Sequence, residues 1–168
     1  MIFFLLVAYD ALSSCLNPNI RDIKVTRGSI LEEVLHVCKE SEDVVEDHLQ
    51  VCFVGEDGVD VGGLDLLKDM FSVFWEKACK TYFTGENVFV PFLPVAKQHE
   101  ANRIYPLLGR ILSHSTAFLQ TIPVRFCRST LLTLLLSPLE TNEECLVKDF
   151  MNFITQSERQ FLERAVRD

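Results

Sequence analysis

Residues 51–63 read Val-Cys-Phe-Val-Gly-Glu-Asp-Gly-Val-Asp-Val-Gly-Gly, and no other stretch restricts the folding of this chain as strongly. Leu49, Val51 and Phe53 alternate with their neighbours, so the run reads as a strand with one apolar face. Gly55 ends that strand. Gly58, Gly62 and Gly63 follow, interleaved with Glu56, Asp57 and Asp60, and a helix pattern starts at Leu64. The expected layout is a strand, an acidic glycine loop and a helix. The plainest role for the loop is structural, with Asp60 or a glycine capping the helix that follows.

Familiar glycine-loop chemistry does not fit. A phosphate-binding loop needs Lys and Ser/Thr after its last glycine, because the lysine neutralises the phosphate. Here Leu64 and Asp65 stand in those places, and the loop is acidic. An EF-hand needs a glutamate at its twelfth position. Counting from Asp57 puts Lys68 there, and counting from Asp60 puts Phe71.

The same residues resemble the start of the large N-terminal lobe of HECT ubiquitin ligases. In that family a strand passes through G-E-x-G-x-D-x-G-G into a helix. Gly55, Glu56, Gly58, Asp60, Gly62 and Gly63 occupy those positions here. The family helix begins R-E-F-F. This one begins Leu64-Asp65-Leu66-Leu67, which keeps the apolar positions and loses the charged pair. Downstream, Tyr105-Pro106-Leu107-Leu108-Gly109-Arg110-Ile111-Leu112 resembles the family's F-L-G-R-L-L helix, carried by Leu108, Gly109 and Arg110. Ile122-Pro123-Val124-Arg125-Phe126 resembles its I-P-F-x-P-F-F step through Pro123. Upstream, Val25-Thr26-Arg27-Gly28-Ser29-Ile30-Leu31 resembles the entry helix R-x-x-I/L-L-x-x-A. The matches fall in the family's order across residues 20–139. They imply an α+β fold, mostly α-helical with a few short strands, like the front part of a HECT N-lobe. On this reading residues 1–19 are an apolar N-terminal extension and residues 20–168 a partial, divergent N-lobe.

The resemblance implies ubiquitin transfer through a thioester on a cysteine in a C-terminal lobe, within a motif like L-P-x-A-x-T-C. Nothing here carries that motif. Leu93-Pro94-Val95-Ala96 matches its start, but Gln98 and His99 stand where Thr-Cys is needed. Cys127 follows Pro123 by four residues where the motif needs five. No catalytic residue is therefore assigned, and the catalytic lobe is expected to be absent. The family docks a ubiquitin-conjugating enzyme on the later part of the N-lobe, which only residues 143–166 could approach.

Composition limits the alternatives. A chain of 168 residues with 48% hydrophobic and 24% charged residues suits one compact core. The net charge of −8 opposes nucleic-acid binding, which needs an excess of Lys and Arg. Residues 40–69 are acidic but for Lys68, and residues 97–128 basic but for Glu100; solvated faces are the default reading, contact between the two stretches the sharper one. The six cysteines form no C-x-x-C and no zinc-finger spacing with the histidines, so neither metal nor cofactor is expected. Buried free thiols in a reducing compartment, cytoplasmic or nuclear, fit them best. Cys127, between Arg125 and Arg128, has the only local sequence that favours a thiolate.

Residues 2–8 form an apolar run too short to span a bilayer and lack a basic flank, which argues against a secretory signal. An extra packed helix or an exposed extension is expected over residues 1–16. Elsewhere helices dominate. Ile30, Leu31, Val34, Leu35 and Cys38 share one face, as do Leu67, Met70, Phe71, Phe74, Trp75 and Ala78. Residues 87–93 read as extended. Residues 98–120 read as a helix that Pro106 begins or kinks. Residues 124–136 are apolar nearly all round and read as a central helix closed by Ser137-Pro138. Val147, Phe150, Met151, Ile154, Phe161, Leu162 and Ala165 mark a final helix or helix pair, with a break at residues 155–157. His114 reads as a packed, hydrogen-bonded histidine, and His99-Glu100 as a cap or surface contact.

Two functions follow. The first is a HECT-related member of the ubiquitin-protein transferase family, in the protein ubiquitination pathway, inactive alone for want of the cysteine lobe. The second is a non-catalytic interaction module or regulator derived from such a ligase. The implied partner is a ubiquitin-conjugating enzyme or another ubiquitin-pathway protein, and a partial lobe is expected to expose apolar surface and associate.

Overall fold

A computed structural model describes residues 17–41, 47–55, 58–135 and 143–167. The fold is α+β and mostly helical, as expected. In place of one core it has two compact units, each assembled from separated segments: Met1–Ala78 with Val95–Pro123, and Cys79–Pro94 with Val124–Asp168. Residues 1–16, with the apolar run, lie outside the described residues, as do Glu56, Asp57 and Ser137-Pro138.

The first unit is built on a three-stranded sheet in the order β1-β2-β3, with β1 Asn17–Val25, β2 Asp47–Gly55 and β3 Gly58–Gly62. β1 runs parallel to β2, placing Ile23 opposite Val51 and Val25 opposite Phe53. A parallel pair needs a crossover, and α1 (Ile30–Glu40) lies between the two strands in sequence. β1 runs across the boundary drawn from the sequence between residues 19 and 20. Its apolar alternation covers only Ile23 and Val25, buried between exposed Asp22 and Lys24, while Ile20 is 71% exposed. So short a pattern becomes a strand only because β2 pairs with it.

β3 corrects the expected glycine loop. It pairs antiparallel with β2, Phe53 opposite Asp60 and Gly55 opposite Gly58. A hairpin therefore occupies most of the motif. Asp60 lies within its second strand and is not the helix cap. Gly63 is the residue before α2 (Leu64–Tyr82), and its carbonyl accepts the Leu67 N–H at 3.3 Å. Leu67, Met70, Phe71, Phe74, Trp75 and Ala78 are all buried, as their spacing requires.

α1 buries Ile30, Leu31, Val34 and Cys38. Glu33 closes its first turn, accepting from the Ser29 hydroxyl at 2.8 Å and the Thr26 N–H at 2.6 Å. The helix expected over residues 98–120 is a 3₁₀ segment, Val95–Glu100, followed by α3, Ala101–Leu119. Pro106 lies inside α3, so it does not begin the helix. Gln120 caps α3 in the left-handed region (φ 56°), its N–H bonded to the Thr116 carbonyl at 2.9 Å. The Trp75 Nε1–H donates to Ser115 Oγ at 3.0 Å, a buried polar tie from α2 to α3.

In the second unit β4 (Phe83–Thr84) and β5 (Val90–Pro91) pair antiparallel, and Phe89 bridges to Phe126. The helices are α4 (Arg128–Leu135), α5 (Glu143–Phe153) and α6 (Gln156–Arg167). The central helix expected over residues 124–136 is shorter and less enclosed. It starts at Arg128, and Leu131 and Leu132 are only half-buried. The extended run before it bonds to Phe89, Cys127 N–H to Phe89 O at 3.1 Å, so helix cannot begin there. The break between α5 and α6 is a capping box: the Thr155 hydroxyl accepts the Glu158 N–H at 3.3 Å, and Glu158 accepts the Thr155 N–H at 2.9 Å.

Candidate functional site

A cleft of about 380 Å³ opens in the first unit where β3 turns into α2. Gly62 and Gly63 form its backbone wall, and Leu67, 2% exposed, lies beneath. Leu64, 52% exposed, and Ile20 supply apolar surface, and Phe118 enters from the end of α3. His48 and Gln50, on β2, add hydrogen-bonding groups. The His48 and Phe118 rings meet edge-on with centroids 5.7 Å apart. Phe118 is held by Phe71 at 6.5 Å and His114 at 4.9 Å. Such a pocket suits an apolar side chain or short apolar segment bordered by polar groups.

Tertiary structure separates the motif residues. Gly62 and Gly63 line the cleft. Gly55 and Gly58 are hairpin partners one sheet length away. Leu108 is buried at 3% exposure, and Gly109 and Arg110 follow it in the middle of α3, roughly two turns or more before Phe118. Pro123 is half-buried beyond the end of α3. A Cβ on Gly62 would overlap the Leu66 side chain, whereas Gly63 and Gly109 have open space. Sequence reasoning missed Ile20, His48 and Phe118 as neighbours, since they come from three elements and share no local pattern.

The polar groups behind the cleft are structural. Arg21 Nε pairs with Asp47 at 2.7 Å, and Arg21 Nη1 donates to Ser41 Oγ at 3.0 Å. His114 Nε2 lies 2.9 Å from the Asp47 carbonyl oxygen. Burial lowers the His114 pKa to about 4 against smaller opposing effects of Asp47, so the ring is neutral and packed, as expected of it. Two residues of the acidic stretch meet upstream arginines: Asp47 pairs with Arg21, and Asp69 with Arg27 at 2.6 Å. Arg27 also lies over the Phe53 ring at 4.4 Å. His99 and Glu100 make an exposed contact at 3.8 Å.

Burial raises the pKa of Cys38 to about 11 and raises that of Cys79. Cys127 corrects the sequence expectation: it is 3% exposed, and burial together with Asp149 and Cys145 pushes its thiol up. Flanking arginines in sequence do not face it, because Arg125 and Arg128 are exposed while Cys127 points inward. Among the described residues no group of His, Cys, Asp or Glu is placed to hold a metal ion, and no helix is long and apolar enough to cross a membrane. No family model matches the chain, and no curated protein matches it.

Proposed function

We propose that this chain is a HECT-derived N-lobe module of the ubiquitin-transfer pathway, which acts by binding a partner and does not itself carry ubiquitin. The observation that carries the reading is the hairpin-to-helix step. β2 and β3 lead through Gly62-Gly63 directly into the core helix α2, and the cleft opens at that step. A second family-like segment, Leu108-Gly109-Arg110, lies on α3, the helix that supplies Phe118. The raised thiol pKa values of Cys38, Cys79 and Cys127 disfavour thiolate formation and so oppose thioester chemistry at those residues.

The test joins two readouts. The purified chain is mixed with activating enzyme, a panel of conjugating enzymes and labelled ubiquitin, then with an intact HECT ligase. The expected result is no reductant-sensitive adduct on this chain and dose-dependent slowing of the intact ligase. Phe118→Ala should weaken that inhibition by roughly tenfold, the effect of losing one aromatic anchor. An adduct abolished by one Cys→Ala change would make the chain a ligase. Neither adduct nor inhibition from a folded sample would sink the HECT reading.

A further inference from the structure

β2 runs on past the end of the strand beside it. It begins at Asp47, while β3 ends at Gly62, opposite Val51. Beyond Gly62 the chain leaves the sheet for α2, and the cleft opens there. Two residues separate Gly55 from Gly58, so these glycines form the hydrogen-bonded pair that closes the hairpin. Hydrogen-bonded pairs recur at every second position of an antiparallel ladder. Phe53–Asp60 and Val51–Gly62 are therefore such pairs too. The register along β2 is unbroken from His48 to Gly55. The same period makes Leu49 and Asp47 aim their N–H and C=O groups at the line that β3 has left.

One of these two positions is taken. The Asp47 carbonyl oxygen is met by His114 Nε2, from α3, at 2.9 Å. Leu49 is half-buried in the cleft wall, and among the described residues none bonds to its backbone on that side. Leu64 and Leu67 of α2 and Phe118 of α3 make the neighbouring walls apolar. An open strand edge, with a donor and an acceptor side by side, is matched by another peptide backbone. A small apolar molecule would cover the walls and leave the Leu49 N–H and C=O unpaired away from water, which is unfavourable.

We propose that the cleft takes an extended, apolar peptide segment of a partner protein. The segment pairs with Leu49 as one more strand beside β2 and sets an apolar side chain against Leu67 and Phe118. This names the chemistry of the partner and rests on the reading of the cleft as a binding site, but not on the ubiquitin pathway. Leu49 is a single open position between the His114 contact and Gly62-Gly63, so the added strand is short and its binding weak.

Nitrogen-15 NMR of the full chain tests this with capped peptides Thr-Val-Xaa-Val-Thr, in which Xaa is Ala, Leu or Phe. The Leu49 amide signal should shift on titration, and its exchange with solvent should slow by roughly tenfold in the bound state. Only every second peptide residue turns its N–H toward β2. N-methylation at one set of alternate positions should therefore weaken binding by roughly three- to tenfold, and at the other set leave it unchanged. Leu64→Asp should weaken it by roughly tenfold. That position is exposed and lies in the first turn of α2, where an aspartate suits the helix, so the variant should fold. No binding by any of the peptides at millimolar concentration, or binding indifferent to the site of N-methylation, would overturn the proposal. So would a Leu49 amide as protected in the free chain as that of Val51, since the slot would then be filled from within. Ligase inhibition without peptide binding would sink this proposal and spare the pathway reading. Peptide binding without ligase inhibition would do the reverse.

Discussion

His114 is 3% exposed, with its Nε2 2.9 Å from the Asp47 carbonyl oxygen, and this burial has a consequence in pH. Its folded pKa is lowered from 6.5 to about 4. Above pH 6.5 the ring is neutral in both the folded and unfolded chain, and its contribution is fully present. Between pH 6.5 and 4 the unfolded chain takes up a proton that the folded one refuses, so stability falls as pH falls. At about 1.4 kcal/mol per unit the loss is on the order of 3 kcal/mol. Urea unfolding at pH 7.0, 5.5 and 4.0 should show that decline, and His114→Gln should flatten it. An equal slope in the variant would place the titration elsewhere. The sequence marked His114 as packed because of its helix, and that much was legible. Its bond to Asp47, 67 residues away, was not.

Glycines set the difference between elements. Gly85, at φ 130°, joins β4 to the segment whose Glu86 N–H caps the Phe153 carbonyl at 3.1 Å. A Cβ there would strike the Val88 carbonyl oxygen. Gly85→Ala should therefore destabilise by at least about 1–3 kcal/mol. Gly109 lies in mid-helix with open space around its Cα, so Gly109→Ala should stabilise by about 0.5–1 kcal/mol through helix propensity. Thermal melts of the two variants should move in opposite directions. An unchanged melt for Gly109→Ala would mean that a contact, and not the backbone, selects that glycine. The helices α1, α2 and α3 could be read from apolar spacing because each buries one continuous face. β1 could not, since half of it is polar and a bulge interrupts its register between Asn17 and Ile20. α4 was read too long because the run before it is equally apolar, and apolarity alone does not separate a strand-like bridge from a helix.

At the scale of the molecule, the thiols report on the fold. Cys38, Cys52 and Cys127 are 3%, 6% and 3% exposed. In site-resolved alkylation followed by mass spectrometry they should stay protected at neutral pH until unfolding, while half-buried Cys79 and Cys145 react earlier. Early labelling of Cys127 in the native protein would contradict its enclosure. Among the described residues, large apolar side chains are exposed in both units, at Ile20, Leu64 and Val95 in the first and at Phe92, Leu146, Val147, Phe150 and Phe161 in the second. The sequence by itself determined the mostly helical α+β class, the core face of α2, the break before α6 and the packed state of His114. Each of these depends on residues within a few turns of one another. Tertiary structure alone decided that residues 17–25 become a strand, that the glycine run becomes a hairpin, that Cys127 faces Asp149 and that Ile20, His48 and Phe118 share a cleft. These depend on pairings between distant segments, and local periodicity carries no information about which distant segment will supply the partner.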